Sequence, residues 1–246
     1  MIWIALFFII ILVSAVIAFR SMRDFEEFPE DSSLNELFFI GNPQALTLQV
    51  LDKLHRLVSE RKNFFSLERL IKGKEKAIVL FGPAELVNLF PELNLVELED
   101  YLGEPDSVGT RPDSEKKVSV NETLTWLIEP KNNDKRHMHI GNQMKELIIG
   151  NEQKVFVQLV GEPQHGKDGT YFQSTLRLMV SDSDPVERVN LAKKVNQAFR
   201  DSTGLNKHED SFPELKKFES FKKRTLIPKE VADFKLTSQE IFDIVI

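Results

Sequence analysis

Between Leu37 and Tyr101 the apolar positions alternate between a period of two and a period near 3.6, and each switch marks a new element. LFFI, residues 37–40, predicts a short strand. Asn42-Pro43 signals a helix start, and Leu46, Val50, Leu51, Leu54 and Leu57 recur at helical spacing to about Ser59. NFFSLERLI and KAIVLFG then predict two strands joined across Lys72-Gly73-Lys74-Glu75. Pro83 suits the first turn of a second helix, AELVNLF, and Pro91 stops it. In the last strand, NLVELEDYL, Leu95, Glu97 and Glu99 alternate with Val96, Leu98 and Asp100.

Residues 103–117, GEPDSVGTRPDSEKK, break the pattern with Gly, Pro and charge and predict a linker. A similar rhythm follows. VSVNETLTWLIEP predicts a strand with one irregularity near Asn121, NQMKELIIG a short helix ending at Gly150, and QKVFVQLVGE and TYFQSTLRLMVS two long strands. In DPVERVNLAKKVNQAFR, Asp184 is the cap of a helix, Glu187 completes its capping box, and Val186, Val189, Ala192, Val195 and Phe199 form a stripe. FESFKKRTL offers a last strand, and T-x-x-E from Thr237 to Glu240 starts a C-terminal helix. The order β-α-β-β-α-β is a split βαβ, so the reading is α+β: two tandem ferredoxin-like sandwich subdomains, 37–102 and 118–246, each with its own sheet.

The first 19 residues change the picture, because they carry no charge and a helix of that length spans about 28 Å. This predicts a transmembrane anchor over 1–20 embedded in membrane lipid, with residues 21–36 an acidic stalk. Arg20 and Arg23 follow the apolar run, placing the remainder on the cytoplasmic side of the cell membrane. The absence of cysteine fits a reducing compartment. A net charge of −6 excludes a general polyanion binder and confines any nucleic-acid contact to a local patch.

One motif suggests catalysis. GEPQHGKD, residues 161–168, has the G-x-x-x-x-G-K spacing of a phosphate-binding loop, with Asp168 where Ser or Thr would bind magnesium. Such a loop leads into a helix, whereas TYFQSTLRLMV alternates as a strand, so the motif reads as a hairpin. His137 and His139 in KRHMHI are weighed as metal ligands against exposed histidines, and His55, His165 and His208 lack a nucleophile at a recognisable spacing. Glu97, Glu99 and Asp100 read as the wet face and end of a strand. No catalytic residue, metal or cofactor is expected. In LKKFESFKKR, Phe218 and Phe221 could stack bases while Lys216, Lys217, Lys222, Lys223 and Arg224 meet phosphates, against the plainer reading of an element with its apolar side buried.

The hydrophobic N-terminus, the LDKLHRLV helix, the strands NFFSLERLI and KAIVLFG, the strand ending ELEDYL and the terminal KKRTLIPKEVADFKLTSQEIFDIVI resemble the N-terminal region of membrane-associated type IV secretion or conjugation ATPases. In that family a motor domain with a true phosphate loop follows, and its catalytic residues have no counterpart here. The resemblance implies a non-enzymatic, membrane-anchored scaffold or adaptor of a secretion or DNA-transfer machine, partnered by a separate motor ATPase or by another copy. Ile241, Phe242, Ile244, Val245 and Ile246 at the apolar terminus are the expected partner contact. The alternatives are a membrane tether binding nucleic acid through 215–224 and an exported cell-envelope or sensor domain.

Overall fold

The computed structural model describes residues 35–102, 118–129, 147–166, 169–203, 206–207, 214–225 and 234–245. The first half runs β1 (Asn35–Ile40), α1 (Leu48–Glu60), β2 (Phe65–Lys72), β3 (Glu75–Pro83), a short α2 (Leu86–Leu89) and β4 (Leu95–Glu97). The second half runs β5 (Thr123–Glu129), β6 (Lys154–Gly166), β7 (Gly169–Ser181), α3 (Pro185–Thr203) and β8 (Asn206–Lys207), then α4 (Glu214–Lys222), β9 (Phe234–Leu236) and α5 (Ser238–Val245).

The nine described strands belong to one sheet, ordered β4-β1-β3-β2-β6-β7-β5-β8, with β9 paired to β7. Every pairing between these strands is antiparallel. Read outward from the centre, each half has the same order, so the two are joined edge to edge by β2 and β6, from Phe65 opposite Gly161 to Lys72 opposite Lys154. The expected architecture, a transmembrane helix followed by two separate ferredoxin-like sandwiches, is corrected accordingly. Both predicted sheets are halves of one, because β2 and β6 each carry apolar side chains on both faces and gain a full ladder of hydrogen bonds by pairing. Among the described residues no helix is long and apolar enough to cross a membrane. The anchor expected over 1–20, most of the 21–36 stalk and the 103–117 linker lie outside the described residues. Leu34–Ile246 is a single compact unit.

Alternation along the central strands assigns the two faces. Phe65, Leu67, Val155, Val157, Leu159, Leu176 and Leu178 lie on one, packed against Leu51 and Leu54 of α1, Val195 and Phe199 of α3, and Ile241 and Ile244 of α5. Leu70, Phe156 and Met179 lie on the other, where Phe218 and Phe221 of α4 cover them. The segment FESFKKRTL, expected as a strand, is the end of α4 and a turn, its apolar residues at helical spacing. Residues 147–150, expected as the end of a short helix, are irregular, whereas two predicted helix caps hold. Asp184 accepts from the N–H groups of Val186 at 2.7 Å and Glu187 at 3.2 Å. Thr237 and Glu240 cap α5 reciprocally, Thr237 N–H to Glu240 Oε2 at 2.8 Å and Glu240 N–H to Thr237 Oγ1 at 3.3 Å. The α3 stripe holds at Val195 and Phe199, which are buried with Leu191, and at Ala192, which packs against the core, while Val186 and Val189 face solvent. A 3-10 turn at Val120–Glu122 is the irregularity before β5.

Candidate functional site

Glu68 of β2, Gln158 of β6 and Arg177 of β7 stand opposite one another in adjacent strands, forming a polar row across the middle of the sheet. All three are buried beneath α4. Glu68 Oε1 accepts three hydrogen bonds: from Ser66 Oγ at 2.8 Å, Gln158 Nε2 at 3.1 Å and Arg224 Nε at 2.8 Å. Arg224 follows α4 in the left-handed region, at φ +55°, and there its side chain turns down onto the sheet. Its other two nitrogens reach Asp100, Nη1 to Oδ2 at 3.0 Å and Nη2 to Oδ1 at 3.2 Å, so one guanidinium joins two carboxylates. The cation also lies 5.1 Å from the centre of the Phe81 ring and 5.6 Å from that of Tyr101.

The row also grips the end of α4. Gln158 Nε2 donates to the Phe221 carbonyl at 2.9 Å, and Arg177 Nη1 donates to Gln158 Oε1 at 2.7 Å and to the Ser220 carbonyl at 3.0 Å. Arg177 Nη2 donates to the Thr225 carbonyl. Carbonyls left over at a helix C-terminus need donors and favour positive charge, and Arg177 supplies both. Burial pushes its guanidinium down to about 9, against the pull of the Glu68 carboxylate. Burial also works against the charge of Arg224, but Glu68 and Asp100 outweigh it and hold that group above its ordinary value. The arrangement is a clamp that fixes α4 to the sheet.

A second meeting of polar groups lies where α1 passes the β6–β7 hairpin. His165 Nε2 is 3.1 Å from Ser59 Oγ, and its ring lies edge-on to that of His55, centroids 5.3 Å apart. The buried His55 has Nε2 at 3.2 Å from the Tyr171 carbonyl, which it meets as a donor, and packs edge-on against Phe172 at 4.7 Å. The structure thus brings together two histidines that looked isolated along the chain. Serine activation requires a histidine held by a third polar group, and the ring that meets His165 edge-on is that of His55. Among the described residues no group of three histidine or acidic side chains is placed to hold a metal. His137, His139 and His208 lie outside the described residues.

The phosphate-loop spacing resolves into strand geometry. β6 runs through Gly161 to Gly166, which pairs with Gly169 at the start of β7, so the motif spans a strand and a two-residue connection. Lys167 and Asp168 lie outside the described residues. Gly161 has a packing role: a Cβ there would stand 2.9 Å from Cε1 and 3.0 Å from Cζ of the buried Phe65 ring. Gly161→Ala is expected to destabilise the fold by about 1–3 kcal/mol through overpacking, measured as a lower denaturation midpoint. An unchanged midpoint would contradict that role.

The basic-aromatic segment is corrected as a surface. Phe218 and Phe221 are buried against Phe156 and Met179, so their rings have no face left for a base. Lys217 and Arg224 are buried as well, Lys222 is half-buried, and Lys216 and Lys223 face solvent. The expected terminal contact is corrected too. Ile241 and Ile244 are fully buried in the chain's own core and Phe242 packs against it, because α5 lies across α1, β2 and β6. The Val245 side chain and Ile246 lie outside the described residues. Glu97 and Glu99 are exposed, whereas Asp100 is committed to Arg224. The central residues Glu68, Gln158 and Arg177 escaped the sequence reading; Gln158 and Arg177 each stand between two apolar neighbours, while Glu68 sits beside Arg69. The chain matches no family model and no curated protein.

Proposed function

We propose that the chain is a non-enzymatic scaffold or adaptor of a secretion or DNA-transfer machine that works with a motor ATPase. The continuous sheet carries this reading. Nine strands joined through β2 and β6 make one plate, and its buried charges fix α4 in place, an arrangement suited to holding partners in a set geometry. At the rim of that plate, among the described residues, strand pairing stops and leaves an edge on which another chain can dock. The order of elements supports the likeness to the N-terminal region of secretion ATPases, and the Gly161 packing supports reading the Lys167 motif as a hairpin.

The test has two arms. The purified full chain is expected to show no ATP-dependent rise in melting temperature and no ATP hydrolysis, and Lys167→Ala is expected to behave identically. Saturable ATP binding abolished by Lys167→Ala would overturn the non-enzymatic reading. In the second arm the tagged full chain is recovered from its native cells under mild conditions and its companions are identified by mass spectrometry. A motor-type ATPase recovered in stoichiometric amount is the expected result, and its absence counts against the adaptor role.

A further inference from the structure

Among the described residues the sheet ends at β4, whose outer side pairs with no other described strand. Register fixes which backbone groups face outward. Gly41 N–H donates to the Asn94 carbonyl and Leu98 N–H to the Leu37 carbonyl, while Val96 stands opposite Phe39, so residues 94, 96 and 98 direct their N–H and C=O groups toward β1. The backbone groups of Leu95 and Glu97 therefore point away from the sheet. On one face of this edge Val96 is 52% exposed beside Phe39 at 38%. Acidic side chains surround it: residues 84–100 contain Glu85, Glu92, Glu97, Glu99 and Asp100 and no Lys or Arg. Arg61 pairs with Glu85 and Arg224 with Asp100, which leaves Glu92, Glu97 and Glu99 exposed on this rim.

We propose that β4 receives an extended, basic segment of a partner protein as an added strand, with alternate apolar residues resting on Val96 and Phe39 and Lys or Arg residues meeting Glu92, Glu97 and Glu99. Main-chain hydrogen bonds to Leu95 and Glu97 hold the strand, and the side chains select it. Charge decides the occupant. Two copies of this edge would bring acidic rims together, whereas a basic strand neutralises them. This assignment rests on the adaptor reading and supplies the contact it requires.

The probe is a fluorescein-labelled peptide, Lys-Val-Lys-Val-Lys-Val-Lys, titrated with the full chain at low ionic strength and followed by fluorescence anisotropy. Saturable binding that weakens with salt is expected, and a Glu-Val-Glu-Val-Glu-Val-Glu peptide is expected not to bind. Glu97→Pro removes an outward N–H that β1 does not use, so the melting temperature should hold while peptide affinity falls at least tenfold. Where proline disturbs the fold, Glu97→Lys combined with Glu99→Lys keeps the backbone and should give the same loss. No saturable binding by the unaltered chain, or equal binding by both variants, overturns the assignment. A change of oligomer size on Glu97→Pro would give the edge to a second copy and overturn it as well. A motor ATPase that still co-purifies with the Glu97→Pro chain sinks this surface alone, whereas the absence of any motor from the unaltered chain sinks the adaptor reading.

Discussion

Glu68→Leu lowers the free energy of unfolding by about 3–5 kcal/mol, because it leaves the buried Arg224 and Arg177 facing an apolar side chain. Leucine matches glutamate in bulk, so the loss measures charge and hydrogen bonding more than volume. Three hydrogen bonds to Oε1 disappear at once, and two guanidinium groups remain out of water. Glu68→Gln keeps an oxygen acceptor at nearly the same place and should fall between Glu68→Leu and the natural chain. Asp100→Asn should cost much less, about 0–1 kcal/mol, since that carboxylate is 38% exposed and water compensates it. Replacing Glu68, Arg177 and Arg224 together by Leu, Met and Met should recover part of the loss, as the triple variant leaves no fully buried charge and only the 38% exposed Asp100 loses its partner. Urea denaturation of each variant supplies the comparison. A Glu68→Leu chain within about 1 kcal/mol of the natural one would show that the network carries no such weight.

These charges were hidden from the sequence for a physical reason. Alternation in TYFQSTLRLMV assigns Tyr171, Gln173, Thr175 and Arg177 to one face, and a sheet with one covered face would leave that side wet. The first two are half-buried, but Thr175 and Arg177 are buried, and it is α4, arriving from forty residues further along, that closes over Arg177. Nothing local announces that arrival. Glu68 beside Arg69 likewise reads as a charged pair on a strand, and only the β2–β6 register sets Glu68 opposite Gln158. The strands β1 to β7 and the two long helices were legible because their periodicity is local, as were the caps at Asp184 and Thr237, whereas the short β8 and β9 were not. Edge pairing between the halves was not, since a strand apolar on both faces states that it is covered without saying by what. The hairpin nature of the Gly161–Lys167 stretch was readable from the strand that follows it. The packing of Gly161 on Phe65 was not, because those residues are neighbours only through the join.

Phe221→Ala is the sharpest test of α4 as a structural lid, with an expected cost of about 3–5 kcal/mol for a fully buried ring. The ring packs edge-on against Phe156, centroids 6.3 Å apart, and shares its cluster with Met179 and Phe218. Its removal leaves a cavity directly beside the carbonyl that Gln158 grips, so packing and clamp weaken together. Amide hydrogen exchange should resolve the effect in space: the α4 amides should exchange faster, while those of β6 and β7, held by ladders on both sides, change less. The nucleic-acid reading of LKKFESFKKR makes the opposite prediction. If Phe221 were a stacking surface, its loss would leave the denaturation midpoint in place and lower affinity for single-stranded DNA, at about 1–3 kcal/mol per base. Measuring both quantities on one variant separates the two roles, and a stable Phe221→Ala chain with reduced DNA binding would reverse the placement of α4 against the sheet.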